Sequence, residues 1–240
     1  MATKEMDFRR GRDRPLPTTV WYPTEGDKPF PLIVFSHGLT SEPSAYESVL
    51  RPWAEAGFVV AAPKFPHTHY RTKDFDALDV INQPADVSEV ITRMLATDSS
   101  GLIDPDRIAA AGHSAGGITT IGLFSGNRDD RLKAGVVLSG RMVLNLPFTG
   151  DAAPMLFVHG KLDTTVAYSD GLAAFKAVPW PKAMMAVTKG GHVAITKDFE
   201  PVIATTTDFL RYALYGDTAA KNRLSSDATE GRRATLIDKL

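Results

Sequence analysis

The sequence predicts an α/β fold, a mostly parallel central sheet flanked by helices. Three observations predict it. Short, nearly continuous apolar runs recur, among them Pro31-Leu32-Ile33-Val34-Phe35-Ser36, Phe58-Val59-Val60-Ala61-Ala62-Pro63 and Pro154-Met155-Leu156-Phe157-Val158-His159-Gly160, as strands covered on both faces require. Segments with helical spacing of apolar residues alternate with those runs, the order that crossover helices on a parallel sheet produce. The stretch Asp106-Arg107-Ile108-Ala109-Ala110-Ala111-Gly112-His113-Ser114-Ala115-Gly116-Gly117 reads as a buried strand, a tight turn carrying a serine, and the start of a helix.

In chain order, residues 7–13 are charged and read as an exposed strand end and turn. Thr18-Thr19-Val20-Trp21-Tyr22, bounded by Pro17 and Pro23, reads as a strand near the sheet edge. Strand 31–36 is followed by a helix over 43–57, with Tyr46, Val49, Leu50, Trp53 and Ala54 on its apolar stripe and Gly57 closing it. Strand 58–63 leads into a loop carrying His67 and His69. Helix 84–96 starts at Pro84, a residue suited to a first helical turn. The elbow helix runs from 115 to about 125, then strand 132–138, an apolar but aperiodic stretch over 140–148, strand 154–160, a short helix over 168–177, strand 182–188 and a last helix over 199–215.

Bulk composition excludes several classes. A formal net charge of -1 offers no global basic field, so no nucleic acid is expected as a partner. No run reaches the 18 or more apolar residues of a membrane span, so no integral membrane association is expected. The absence of cysteine removes disulfides, thiolate nucleophiles and Cys-ligated zinc. The first residues, Met1-Ala2-Thr3-Lys4-Glu5-Met6-Asp7, hold no apolar leader. The chain as it stands reads as cytoplasmic, a secreted protein with its leader removed being the alternative.

A serine hydroxyl is a weak nucleophile until a base takes its proton, and that base must be held in one tautomer by an acid. Ser114 lies in a G-x-S-x-G turn, Gly112 to Gly116. Asp163 stands just past strand 154–160, and His192 just past strand 182–188 in a glycine-flanked loop. All three project from the carboxyl edge of the sheet in the order serine, acid, histidine, and are the candidate nucleophile, acid and base. Asp170 is the fallback acid, but falls inside a helix. The expected oxyanion donors are the backbone N–H groups of Ala115, which follows the nucleophile, and of Leu39, which Gly38 lets approach closely. His37, His113 and His159 lack the placement of a base, and His37 and His113 read as structural hydrogen-bonding residues. His67 and His69 have a metal-like spacing but no evident third ligand, so they read as loop polarity or pocket lining, and no metal is expected.

These residues resemble the α/β-hydrolase superfamily, within it the compact serine esterases that include cutinase-like polyester hydrolases, platelet-activating-factor acetylhydrolase-like and dienelactone-hydrolase-like proteins. The resemblance spans roughly residues 15–216. It rests on Pro17 to Pro23, Phe35-Ser36-His37-Gly38, Gly112-His113-Ser114-Ala115-Gly116-Gly117, His159-Gly160 with Asp163, and Gly191-His192. It implies an acyl-enzyme on Ser114, proton shuttling by His192, orientation of His192 by Asp163, and no cofactor. Residues 1–216 are then expected to form a single catalytic domain, with 217–240 a C-terminal tail that is packed or partly disordered. Dienelactone hydrolases carry a cysteine nucleophile, so serine here points to ordinary carboxylic esters. Secreted polyester hydrolases have a C-terminal disulfide, an aromatic residue beside the oxyanion donor and often methionine after the nucleophile, where this chain has no cysteine, Leu39 and Ala115.

The interval 140–153 is too short for a lid domain, so an open site is expected. Met142, Val143, Leu144, Leu146 and Phe148 are placed to form an apolar substrate wall. The expected partner is a small-molecule ester, neutral and largely apolar, of short to medium acyl length. A polyester or lipase substrate, acyl transfer to another nucleophile, and a noncatalytic binding protein on the same fold are the alternatives. The sequence leaves oligomeric state open, a monomer being compatible with it.

Overall fold

The computed structural model describes residues 1–193 and 200–240. Strands β1 (Ala2–Arg10), β2 (Arg14–Tyr22) and β3 (Phe30–Ser36) precede helix α1 (Glu47–Glu55), β4 (Val59–Pro63), α2 (Gln83–Thr97), β5 (Ile103–His113) and α3 (Ala115–Leu123). Next come β6 (Leu132–Leu138), β7 (Met155–Gly160), α4 (Tyr168–Ala177), β8 (Lys182–Val187), α5 (Glu200–Tyr215), α6 (Thr218–Thr229) and β9 (Ala234–Lys239). The strands form one sheet in the order β1-β2-β4-β3-β5-β6-β7-β8-β9. From β4 to β8 every neighbouring pair is parallel, while β1, β2 and β9 join antiparallel.

The apolar runs are continuous because both faces of the inner strands are covered. Along β3 the side chains alternate: Leu32 and Val34 join the cluster holding Val87, Val90 and Ile91 of α2, Ile121 of α3 and Phe175 of α4. Ile33 and Phe35 join the opposite cluster with Leu50 and Trp53 of α1, Phe209 and Leu210 of α5 and Leu224 of α6. Each large aliphatic side chain buried this way contributes roughly 1.5–3 kcal/mol. With the hydrophobic layers on both faces, the strand ends and their loops are left to form the site.

The differences from expectation lie at the ends of the chain. Residues 7–10 are the end of an edge strand and 11–13 the turn after it, as expected, but the strand starts at Ala2, and its Thr3, Lys4, Glu5, Asp7 and Arg9 are exposed. An edge strand with only Phe8 buried shows little apolar signal. Strand β2 is second from that edge. The segment after Gly216 forms α6 and β9, with Ala220, Leu224, Ala228 and Ala234 buried, whereas Ile237 is exposed. Phe199, where the sequence opens the last helix, lies outside the described residues. The interval 140–153 carries no helix or strand. Among the described residues no helix is long and apolar enough to cross a membrane.

Candidate active site

Ser114 is the hinge between β5 and α3, with φ +56° and ψ -117°, a left-handed region that side chains other than glycine seldom adopt. The turn closes only because its neighbours are small. A Cβ added to Gly116 would run into the carbonyl oxygen of Ser36, and one added to Gly112 into the carbonyl of Gly116. The Ser114 N–H donates to Leu138 O at 2.9 Å and its carbonyl accepts from Ile118 N–H at 3.1 Å, fixing the turn to β6 and to α3.

Asp163 and His192 enter from the ends of β7 and β8. His192 Nδ1 lies 2.8 Å from Asp163 Oδ2, and His192 Nε2 lies 2.8 Å from Ser114 Oγ. The other carboxylate oxygen, Asp163 Oδ1, accepts from the N–H groups of Thr165 and Val166, each at 2.9 Å. Burial pushes the Asp163 carboxyl up, but hydrogen bonds from His192, Val166 and Thr165 outweigh it and hold the group below its ordinary value. An ionised Asp163 accepts only, so His192 carries its proton on Nδ1. Its Nε2 is therefore free to accept from the Ser114 hydroxyl.

A second relay braces this one. Gly38 N–H donates to the Tyr46 hydroxyl at 3.0 Å, and Tyr46 Oη lies 2.9 Å from His113 Nδ1. His113 Nε2 lies 2.9 Å from the backbone carbonyl oxygen of His192. A carbonyl accepts only, so His113 donates from Nε2 and accepts the Tyr46 proton at Nδ1. Burial pushes His113 down to about 4, which keeps the ring neutral. His37 is buried in the same way and pushed down to about 4. It donates from Nδ1 to Gly38 O at 2.8 Å and accepts Phe65 N–H at Nε2, 3.1 Å away. His159 lies 2.9 Å from Val166 O and 3.4 Å from Asp163 Oδ2 through its Nε2. Tyr46 is a residue the sequence does not mark: its spacing places it on the apolar stripe, and nothing local reveals a hydroxyl partner 67 positions away.

The two expected oxyanion donors flank the serine. Ala115 opens α3, so its N–H has no carbonyl one turn earlier in the helix. Gly38 lies against the elbow, a Cβ there meeting Ser114 Cβ at 3.3 Å, and its own N–H is occupied by Tyr46. The N–H of Leu39 has no hydrogen-bond partner among the described residues.

The five apolar wall candidates divide. Val143, Leu144 and Leu146 line a narrow groove of about 40 Å³ with Ile81, Pro84 and Ile118, one turn along α3 from Ser114. Met142 and Phe148 line a second hollow with Ala177 and Pro179, Leu146 lines both, and Phe148 packs edge-on against Trp180 with ring centroids 5.7 Å apart. Asp170 faces Arg141 at 4.0 Å. His67 and His69 each engage a backbone carbonyl, of Asp74 and Tyr70.

This sheet, with the strand, turn and helix that present Ser114, defines a fold of the α/β-hydrolase type. The chlorophyllase family model matches residues 2–140, more than half of the chain, and the chain belongs to the chlorophyllase family. The match takes in Leu39, Ser114 and Ala115 and ends before Asp163 and His192. The protein named "Putative esterase YitV" of Bacillus subtilis (strain 168) is 33% identical over 115 residues, 46% of this chain and 44% of that protein. The chain thus matches less than half the length of this curated relative.

Proposed function

We propose that the chain hydrolyses neutral, largely apolar carboxylic esters of short to medium acyl length through an acyl-enzyme on Ser114. One observation carries this reading: Ser114, His192 and Asp163 stand in a line of two 2.8 Å hydrogen bonds, with the tautomer of His192 fixed by the acid. Attack by Ser114 Oγ on the ester carbonyl forms the new C–O bond as the hydroxyl proton passes to His192 Nε2. Asp163 stabilises the resulting imidazolium. The oxyanion accepts from the N–H groups of Ala115 and Leu39, donors that flank the serine. Collapse breaks the bond to the alkoxide, which leaves with the proton from His192. Water then repeats the sequence with His192 as base, releasing the carboxylic acid and restoring Ser114.

The apolar preference rests on the rim. Leu39, Ile81, Val143, Leu144, Leu162 and Val193 are all exposed, in the loops that follow β3, β4, β6, β7 and β8. Exposed apolar side chains gathered at one edge are a signature of binding. The same rim favours a second reading, a larger apolar ester such as a lipid or polyester. Chlorophyll, after which the family is named, belongs in the same test.

Initial rates on p-nitrophenyl esters from acetate to palmitate, on polyester film and on chlorophyll, with wild type and Ser114→Ala side by side, test both. A peak at short or medium chains that vanishes in the variant supports the first reading. Rates that rise through palmitate, or that appear only on film or chlorophyll, support the second. Hydrolysis that is untouched in Ser114→Ala removes both.

A further inference from the structure

We propose that the hollow between the loop after β8 and the turn before β9 is a binding site for a phosphate group. This hollow, about 450 Å³, is lined by Val187, Thr188, Lys189, Gly190, Gly231, Arg232 and Arg233. Among the described residues three cations line it, and no carboxylate does. Their side chains make no hydrogen bond or ion pair among the described residues. That sets them apart from Arg14, Arg131, Arg211 and Arg223, each of which engages an aspartate within 3 Å. Unpartnered like charges around one cavity repel each other, and a bound anion relieves that repulsion.

The backbone builds the hollow. Thr188 N–H donates to Arg233 O at 2.9 Å, locking the two walls together. Gly190 and Gly231 add no side chains to the lining. Arg232 is held at φ +55°, a backbone conformation unusual for arginine. None of Ser114, Asp163 and His192 lines the hollow, so it is a site apart from the candidate active site.

Phosphate fits better than carboxylate. A phosphate monoester presents up to two negative charges and three oxygens to two planar guanidinium forks, an ammonium and the Thr188 hydroxyl, whereas a carboxylate offers one charge and two oxygens. The group can arrive free in solution or on an anionic lipid headgroup.

Calorimetric titration of the full chain with inorganic phosphate and pyrophosphate, and co-sedimentation with phosphatidylcholine vesicles containing phosphatidic acid, separate those sources. Saturable binding is expected in at least one arm, weakened tenfold or more in Arg233→Ala and Lys189→Ala. Arg232→Gly removes a guanidinium while suiting the positive φ, so it tests the site without straining the turn. Arg12→Ala, in the exposed turn after β1, is expected to change nothing. Binding to phosphate alone assigns a soluble ligand, and binding that includes the vesicles a headgroup. No binding in either arm, or binding that all three substitutions leave intact in proteins of native circular dichroism, overturns the proposal.

Discussion

His113 donates to the carbonyl oxygen of His192 across 2.9 Å, so the residue before the serine holds the backbone of the loop that bears the candidate base. Removing that ring leaves the His192 carbonyl and the Tyr46 hydroxyl without their partner, at about 1–3 kcal/mol for each buried group left unsatisfied. His113→Ala is expected to lower kcat on a p-nitrophenyl ester at least tenfold with a small change in KM. His113→Gln, which can donate to one neighbour and accept from the other, is expected to recover much of it. Equal rates in the two variants would reduce His113 to packing.

The serine, histidine and aspartate are expected to separate in their effects. Ser114→Ala and His192→Ala should each lower ester turnover by about 10³-fold or more, with Asp163→Asn leaving a measurable remainder. Circular dichroism of each variant distinguishes lost chemistry from lost fold. Near-normal turnover in Asp163→Asn would remove Asp163 from the relay.

Gly116→Ala tests the elbow itself. The added methyl meets the Ser36 carbonyl, a backbone atom in the sheet interior that cannot step aside. Destabilisation of about 3 kcal/mol or more is expected, read as a fall in Tm of about 6–12 °C. Gly191→Ala is the contrast, since among the described residues nothing lies within 4 Å of its added Cβ, and its Tm should hold.

Stability is expected to bend with pH in two places. His37 and His113, pushed down to about 4 by burial, take a proton more readily unfolded, so stability present above the ordinary value of 6.5 is lost as pH falls toward 4. Tm measured across that window should fall less steeply in His113→Gln than in wild type. Asp227 acts with the opposite sign. Burial and the neighbouring Asp208, itself gripped by Arg223 at 2.7 and 2.8 Å, push its carboxyl up to about 6. Its contribution is therefore full below its ordinary value and is lost as pH rises through 6. Asp227→Asn should flatten that loss and raise Tm at pH 8.

Much of the fold is legible because its signals are local. Strands β3, β4, β6 and β7 announce themselves by apolar runs of strand length, and Gly112, Gly116 and Gly117 mark the elbow by the room their neighbours lack. Ser114, Asp163 and His192, singled out by their strand ends, come within hydrogen-bonding distance. What escapes is what depends on partners far along the chain. The Tyr46 hydroxyl looks like part of a helix stripe until β5 brings His113 to it. Strand β9 has a single buried residue and is defined by pairing with β8. Phe148 and Leu144 are alike as apolar loop residues, yet one packs on Trp180 and the other faces solvent, because neighbouring loops decide which surface is covered.

The two outermost strands carry the open margins of the sheet. The ladder ends on β1 and β9, where Lys4, Glu5, Asp7 and Arg9 on one side and Asp238 and Lys239 on the other stay in water. A second molecule that tried to lengthen the sheet at either margin would have to strip hydration from charges of both signs. The same decoration that hides these strands from sequence patterning thus opposes edge-to-edge stacking of the sheet into aggregates.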